Sequence, residues 1–202
     1  MKELDSRKKN FYKTLDIILN KRRNKINSNI GSVINIIKDV KKNGDKALLK
    51  YEKKFNKNNV LIPSNKRISK SINLLDKKVK KAIDLAFNRI FKFHSFQKFK
   101  NIKYTDKFKN KLEYRYSPID SVAIYVPGSS ASYPSSVLMN AIPAMVAGVK
   151  RIVMINPNYQ GKLNPAVLYA ARKCKIKEIY SIGGPSAIAA LAYGTKKINK
   201  VN

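Results

Sequence analysis

The fold is decided by the stretch from Ser121 to Thr195, which reads SVAIYVPGSSASYPSSVLMNAIPAMVAGVKRIVMINPNYQGKLNPAVLYAARKCKIKEIYSIGGPSAIAALAYGT. It holds three short runs rich in β-branched residues, at 122–126, 151–155 and 178–182. Continuous apolar runs of this length are typical of strands buried in a parallel sheet. Because a segment of helical character follows each run, the pattern predicts an α/β layer with right-handed crossovers.

The helices between these strands carry recognisable signals. The first is predicted at about 135–147, and Pro143 inside it should kink it, because proline removes a backbone donor and clashes with the preceding turn. The second begins after Asn164, an N-cap residue followed by proline, and covers about 165–174. The third follows the glycine pair at 183–184.

The part of the chain before this stretch is predicted to be mostly helical, from apolar spacings of three and four. Ser28 is a candidate N-cap of a helix that Asn43 and Gly44 would end, Asp45 would open a short second helix, and Asp76 would open a longer one. The residues expected on buried faces are Ile30, Val33, Ile34, Ile37 and Val40 in the first helix and Val79, Ile83, Ala86, Ile90 and Phe93 in the last.

Between Phe99 and Asp120, aromatic and leucine residues alternate with polar ones, as in strands or an extended connection. We therefore predict a domain boundary near Ser117. It divides the chain into a helical segment with an extended connection, residues 1–117, and an α/β domain, residues 118–202.

The composition narrows the functional classes. The chain carries 43 lysines and arginines against 12 acidic residues, a net charge of +31. These charges are spread over the predicted helix surfaces instead of being clustered, so specific nucleic-acid binding is kept only as a third hypothesis. No apolar run approaches the roughly 20 residues of a membrane span, and no secretion signal is visible. A lone cysteine suits a reducing compartment, so we expect a cytoplasmic protein that does not bind membranes.

In an open parallel sheet, ligands bind outside the carboxyl ends of the strands. The loops to consider are therefore 127–134, 156–163 and 183–186, where glycine, serine and proline gather. Gly128 and the pair at 183–184 would let backbone N–H groups approach a phosphate or ribose beside a helix N-terminus. The usual dinucleotide fingerprint and the P-loop are both absent. The alternative, that these glycines only permit tight turns, stays open at this stage.

Two other residues are candidates for a catalytic or metal-binding role. His94, the single histidine, is expected to be a packed or half-exposed residue at a helix end, because no second ligand or carboxylate pair lies near it in the sequence. Cys174 has no base partner in the sequence and is interpreted as structural. We therefore predict no catalytic residue and no metal ligand in this chain.

Several motifs closely resemble histidinol dehydrogenases. They are YVPG at 125–128, YPSSVLMNAIPA at 133–144, VAGVKRIVM at 146–154, AIAALAYGT at 187–195, IIKDVKKNGDKALLKYEKKF at 36–55 and FHSFQ at 93–97. The resemblance implies an oxidoreductase of histidine biosynthesis that uses NAD and zinc to oxidise L-histidinol to L-histidine through histidinal. It also implies a helical N-terminal segment followed by an incomplete Rossmann-like parallel β-sheet with flanking helices, in an intertwined homodimer.

The resemblance also suggests cofactor-binding residues. Tyr125 matches an NAD-binding tyrosine of the family, and Gly128, Gly183 and Gly184 accompany it. Ser186 stands where the family has the NAD-binding glutamine of a GGAQAIAA motif, and its shorter hydroxyl would need a bridging water or would lose the contact. Ser129 replaces a glycine that usually follows YVPG, at a cost of roughly 1 kcal/mol if the position needs a positive φ.

The matched motifs belong to about the first half of the family's length, and the zinc ligands and proton-transferring residues are expected beyond Asn202. We therefore expect the N-terminal part of a histidinol dehydrogenase, present as a fragment, a split gene product or the product of a decaying gene. Alone it should not oxidise histidinol. It would need a homodimer partner or a complementing C-terminal half. The alternative is a non-catalytic α/β module that binds a nucleotide or a partner subunit.

Overall fold

A computed structural model describes residues 4–128 and 132–202, with only the backbone for 21–29. Helices and strands follow one another along these residues in the order α1 Phe11–Asn56, α2 Asn65–Asn73, α3 Lys77–Ser95, β1 Ile102–Thr105, β2 Lys111–Tyr114, β3 Ser121–Tyr125, α4 Pro134–Ala147, β4 Arg151–Ile155, α5 Pro165–Lys173, β5 Glu178–Tyr180 and α6 Gly184–Tyr193. The three predicted strands and the three helices that follow them are confirmed. The α/β fold class is confirmed as well.

The central sheet has three parallel strands in the order β3-β4-β5. Ser121 pairs with Arg151, and Val153 pairs with Glu178. Strands β1 and β2 form a separate antiparallel hairpin whose residues are exposed on both faces. Within the described ranges, no helix is long and apolar enough to cross a membrane.

Helices cover both faces of the sheet, and the strand pleat explains how. Alternate side chains point to opposite faces, so Met154 packs with one core cluster while Val153 and Ile155 pack with the other. The first cluster gathers α2, α3, α4 and α5, and the second gathers α1 and α6. The N-terminal helices therefore contribute to both layers around the sheet. The domain boundary near Ser117 remains a proposal.

Two predicted helix starts are confirmed by their capping bonds. The side chain of Asp76 accepts hydrogen bonds from the backbone N–H groups of Lys78 and Val79. The side chain of Asn164 likewise accepts from the first turn of α5, with proline at the first helical position. Helix α2 was missed, although Ser64 caps it by accepting from the Arg67 N–H.

The predicted helix start at Ser28 is wrong, because α1 is helical through that position from Phe11 onward. Residues 11–56 contain no proline, which is the residue that most strongly interrupts a helix. The expected break at Gly44 does occur, since its φ of 52° and ψ of −129° interrupt the helix. Ile30 and Ile34 were expected to be buried, but they are 44% and 43% exposed because the buried part of α1 begins near Val40.

The predicted face of α3 is buried only in its middle. Ile83 is 6% exposed and belongs to the core, with Ala86 and Ile90 packed against it. Val79 and Phe93, near the two ends, are 40% and 61% exposed, so their predicted burial is wrong. The core formed with α4 and α5 reaches the middle of α3 and leaves its two ends uncovered.

Candidate functional site

A cleft of about 770 Å³ opens at the carboxyl ends of β3 and β4. It is lined by Asn56, Tyr125, Pro127, Gly128, Asn156, Pro157, Asn158, Tyr159, Lys162, Leu163, Asn164, Pro165 and Val167. Two of the three predicted loops, those after β3 and β4, therefore meet here with the N-terminal end of α5. The third loop, at 183–186, joins them through Tyr125.

Two glycines are required by close packing of these loops. A Cβ on Gly128 would overlap the carbonyl group of Pro157. A Cβ on Gly183 would lie 2.6 Å from Pro157 Cγ and 3.3 Å from Tyr125 Oη. Gly184 differs, because its surroundings are open and its φ of 64° lies in the left-handed region. Close packing accounts for the glycines at 128 and 183 and backbone conformation for Gly184, and the alternative that they serve only the turns stays open.

Tyr125 connects the loop after β5 to the cleft. Its hydroxyl oxygen accepts a hydrogen bond of 3.1 Å from the Gly184 N–H, and its side chain remains partly exposed. A phenol that accepts one hydrogen bond keeps its own proton to donate. Tyr125 is therefore oriented by the turn and can donate to a ligand in the cleft.

Ser186 lies below this surface. It is 2% exposed, and its hydroxyl donates to the Gly183 carbonyl at 3.0 Å. Its single proton is thus used within the first turn of α6. The predicted cofactor contact by Ser186 stays a prediction. Ser129 lies outside the described residues.

Glu52 is a buried residue of the site that the sequence analysis missed. It is 1% exposed, near the end of α1, and its Oε1 accepts the Gly183 N–H at 2.8 Å. Its Oε2 accepts from Asn56 Nδ2 at 2.7 Å. Burial raises the pKa of Glu52, while the two hydrogen bonds act in the opposite direction. The available signal was its position four residues after Leu48, on the apolar face of the helix.

Asn156 joins the first two loops. Its Nδ2 donates to the carbonyls of Val126 and Pro127 at 3.0 and 3.3 Å, which fixes the amide orientation. Its Oδ1 is buried and has no hydrogen-bond partner among the described residues. The side chain is 2% exposed and contributes to the cleft lining. Such an orphaned acceptor is costly unless a ligand or water reaches it.

The loop around Ser181 is held by two further buried asparagines. Asn58 donates to the Ser181 carbonyl at 2.8 Å, and Asn158 donates to the Ser181 hydroxyl at 2.7 Å. Both asparagines are at most 3% exposed. The end of β5 is therefore fixed by side chains from the segment after α1 and from the loop after β4.

His94 and Cys174 lie away from the cleft. His94 is partly exposed at the end of α3, with its Nδ1 2.6 Å from Gln97 Oε1. Cys174 is buried, and burial raises its pKa to about 12, which agrees with a structural role. In the described part of the chain, no three His, Cys, Asp or Glu residues lie together as a metal site would require.

Comparison with known proteins places the chain in one family. The family model for histidinol dehydrogenase matches residues 19–202. The chain belongs to the histidinol dehydrogenase family. It is 75% identical over 202 residues to histidinol dehydrogenase of Pelagibacter ubique, covering 100% of this chain and 47% of that protein. The corresponding enzyme of Agrobacterium fabrum is 47% identical over 174 residues, which cover 84% of this chain and 40% of the relative.

A solved histidinol dehydrogenase has the same fold. The crystal structure of the protein from Elizabethkingia anophelis superposes with a TM-score of 0.81 at 37% identity, over 86% of this chain and 41% of that one. The chain thus spans about half the length of the curated histidinol dehydrogenases it matches. The resemblance inferred from the sequence motifs is confirmed.

Proposed function

We propose that this chain forms the nucleotide-holding part of an NAD-dependent histidinol dehydrogenase. The observation that carries the proposal is the crevice at the carboxyl ends of the strands, where Gly128 and Gly183 bring the loops after β3 and β5 against Pro157 of the loop after β4. This is the edge of an open α/β sheet at which nucleotides bind. Membership in the histidinol dehydrogenase family supports NAD as the nucleotide.

The residues present fit NAD. Tyr125 can donate its hydroxyl proton to a ribose or phosphate oxygen, since its hydroxyl oxygen already accepts a hydrogen bond from the Gly184 N–H. Lys162 lines the cleft and supplies a positive charge for the pyrophosphate. The unpartnered Oδ1 of Asn156 offers an acceptor to a hydroxyl or amine of the cofactor. We propose that Tyr125, Gly128, Gly183 and Gly184 contact the cofactor and that Ser186 supports these contacts through the turn that it stabilises.

In this cleft, NAD would supply hydride-acceptor chemistry, with one NAD molecule consumed for each of the two successive oxidations. The residues present do not fit zinc, because the part of the chain that the structure describes holds no cluster of three metal-ligating side chains. These residues are therefore assigned no zinc-dependent step. For the complete enzyme we propose the oxidation of L-histidinol to L-histidine through histidinal, in the cytoplasm. The partner would be a second subunit or a chain that carries the remaining half of the family fold.

Equilibrium dialysis of the 202-residue chain with NAD tests the binding proposal. Tyr125→Phe should weaken binding roughly tenfold, the value of about one well-made hydrogen bond. Tyr104→Phe is the matched control, because Tyr104 is an exposed tyrosine of the β1-β2 hairpin. If the two variants bind NAD with equal affinity, Tyr125 does not contact the cofactor. If the unaltered chain binds no NAD, the proposal is refuted.

The enzymatic part is tested on the native polypeptide isolated from its own cells. Its intact mass is compared with the 23.0 kDa of this sequence, and NADH formation on addition of L-histidinol is followed by absorbance. Oxidation of histidinol by the polypeptide, alone or with a co-purifying chain, supports the dehydrogenase. NAD binding without any such oxidation would instead identify a non-catalytic nucleotide-binding module.

A further inference from the structure

Glu52 occupies an unusual position for an acidic residue in a lysine-rich chain. The residue is 1% exposed, and among the described residues no lysine or arginine forms an ion pair with it. Burying a carboxylate without a cation is expensive unless hydrogen bonds satisfy its oxygens. Here one oxygen accepts from Asn56 and the other from the backbone N–H of Gly183, 131 residues away in sequence.

The second contact places the carboxylate at the start of α6. The N–H of Gly183 goes to Glu52, and the N–H of the next residue, Gly184, goes to the hydroxyl of Tyr125. Gly184 adopts a φ of 64°, and this bend of the backbone lets its N–H and the N–H of Gly183 point to two different acceptors. Holding Gly183 therefore also sets where the Gly184 N–H meets the phenol.

The type of acceptor matters at this point. A carboxylate makes a stronger hydrogen bond to a backbone N–H than a neutral amide or hydroxyl does. An anion also interacts favourably with the N-terminal end of α6, where unsatisfied N–H groups concentrate positive charge. Glu52 thus takes up the innermost N–H of this turn and leaves the Tyr125 hydroxyl, on the cleft side, for the ligand.

We propose that Glu52 is a positioning residue of the nucleotide site: it anchors the turn at Gly183 and thereby orients Tyr125 toward the cofactor. The effect on NAD rests on the proposed function, whereas the anchoring of the turn does not. Glu52 lies outside the residues that line the cleft. It couples α1 to the loop after β5.

The test measures NAD affinity of the 202-residue chain by calorimetry for Glu52→Ala and Glu52→Gln, each alone and combined with Tyr125→Phe. Glu52→Ala should weaken NAD binding by roughly tenfold, and Glu52→Gln by less, because its amide oxygen can still accept the Gly183 N–H. Glu113→Ala is the control, since that acidic residue lies on the exposed hairpin. If Glu52 acts through Tyr125, the double variant will bind more tightly than the product of the two single effects predicts.

Amide NMR spectra supply the readout that does not depend on NAD. In Glu52→Gln, the Gly183 and Gly184 amide resonances and the Tyr125 ring resonances should all shift, whereas in Glu113→Ala they should not. Three results would each overturn the inference. The first is an NAD affinity within twofold of the unaltered chain in both Glu52 variants, and the second is that the effects of the Glu52 and Tyr125 substitutions simply multiply. The third is that the Tyr125 resonances do not move in Glu52→Gln. If the unaltered chain binds no NAD, the proposed function fails, and the resonances of Glu52→Gln alone decide the inference. If Glu52→Ala does not fold, the NAD affinity and the resonances of Glu52→Gln decide the inference.

Discussion

Replacing Gly128 by alanine tests the packing on which the crevice depends. The added methyl group would overlap the backbone carbonyl carbon and oxygen of Pro157, which cannot rotate away as a side chain would. The loops after β3 and β4 must therefore separate. Overpacking of this kind costs about 1–3 kcal/mol, and contact with backbone places Gly128→Ala at the upper end of that range.

A loss of about 3 kcal/mol corresponds to a decrease in Tm of roughly 6 to 12 °C for a chain of this size. Thermal unfolding followed by circular dichroism measures it, and dialysis measures the accompanying loss of NAD affinity. Gly31→Ala is the matched control, because a Cβ at that position of α1 meets nothing within 4 Å. Alanine there should raise stability by up to about 1 kcal/mol through its higher helix propensity.

The contrast between the two variants is the decisive result. If Gly128→Ala keeps both its Tm and its NAD affinity, the close approach of Gly128 to Pro157 does not shape the site, and the reasoning is refuted. If both alanine variants are destabilised equally, the effect comes from the substitution itself and not from the crevice.

Two further predictions concern titration and reactivity. The pKa of Asp39 is lowered from 3.8 to about 2, mainly by a hydrogen bond from Asn43 and then by Lys50 and Tyr51. The contribution of Asp39 to stability is therefore present above pH 3.8 and is lost as the pH falls toward 2. In Asp39→Asn, the free energy of unfolding measured with urea should fall less steeply between these two pH values than in the unaltered chain. An equally steep fall would contradict this. Cys174, with its pKa raised to about 12, should react with a thiol reagent at pH 8 about 1,000-fold more slowly in the folded chain than in urea, and rapid labelling of the native protein would show that it is accessible.

Local signals in the sequence were sufficient for the α/β part of the chain. Strand β4 was predicted with the bounds it has, because its apolar run is long enough to be buried on both faces. Helix α5 was predicted from an asparagine cap followed by proline, both of which act within one turn. The start of α1 was wrong because Ser28 resembles a cap locally while the residues before it continue the helix.

The sequence by itself determined the family and the order of strands and helices from β3 to α6, and it predicted the edge of the sheet at which a ligand would bind. These follow from neighbouring residues and from motifs, which need no knowledge of distant contacts. Only the tertiary structure showed that Glu52 reaches Gly183, that Asn156 links two loops, and that Ser186 is buried beneath the turn. A polar residue in a helix or loop is solvated by default, and its role appears only when a distant part of the chain excludes water and supplies its hydrogen-bond partner.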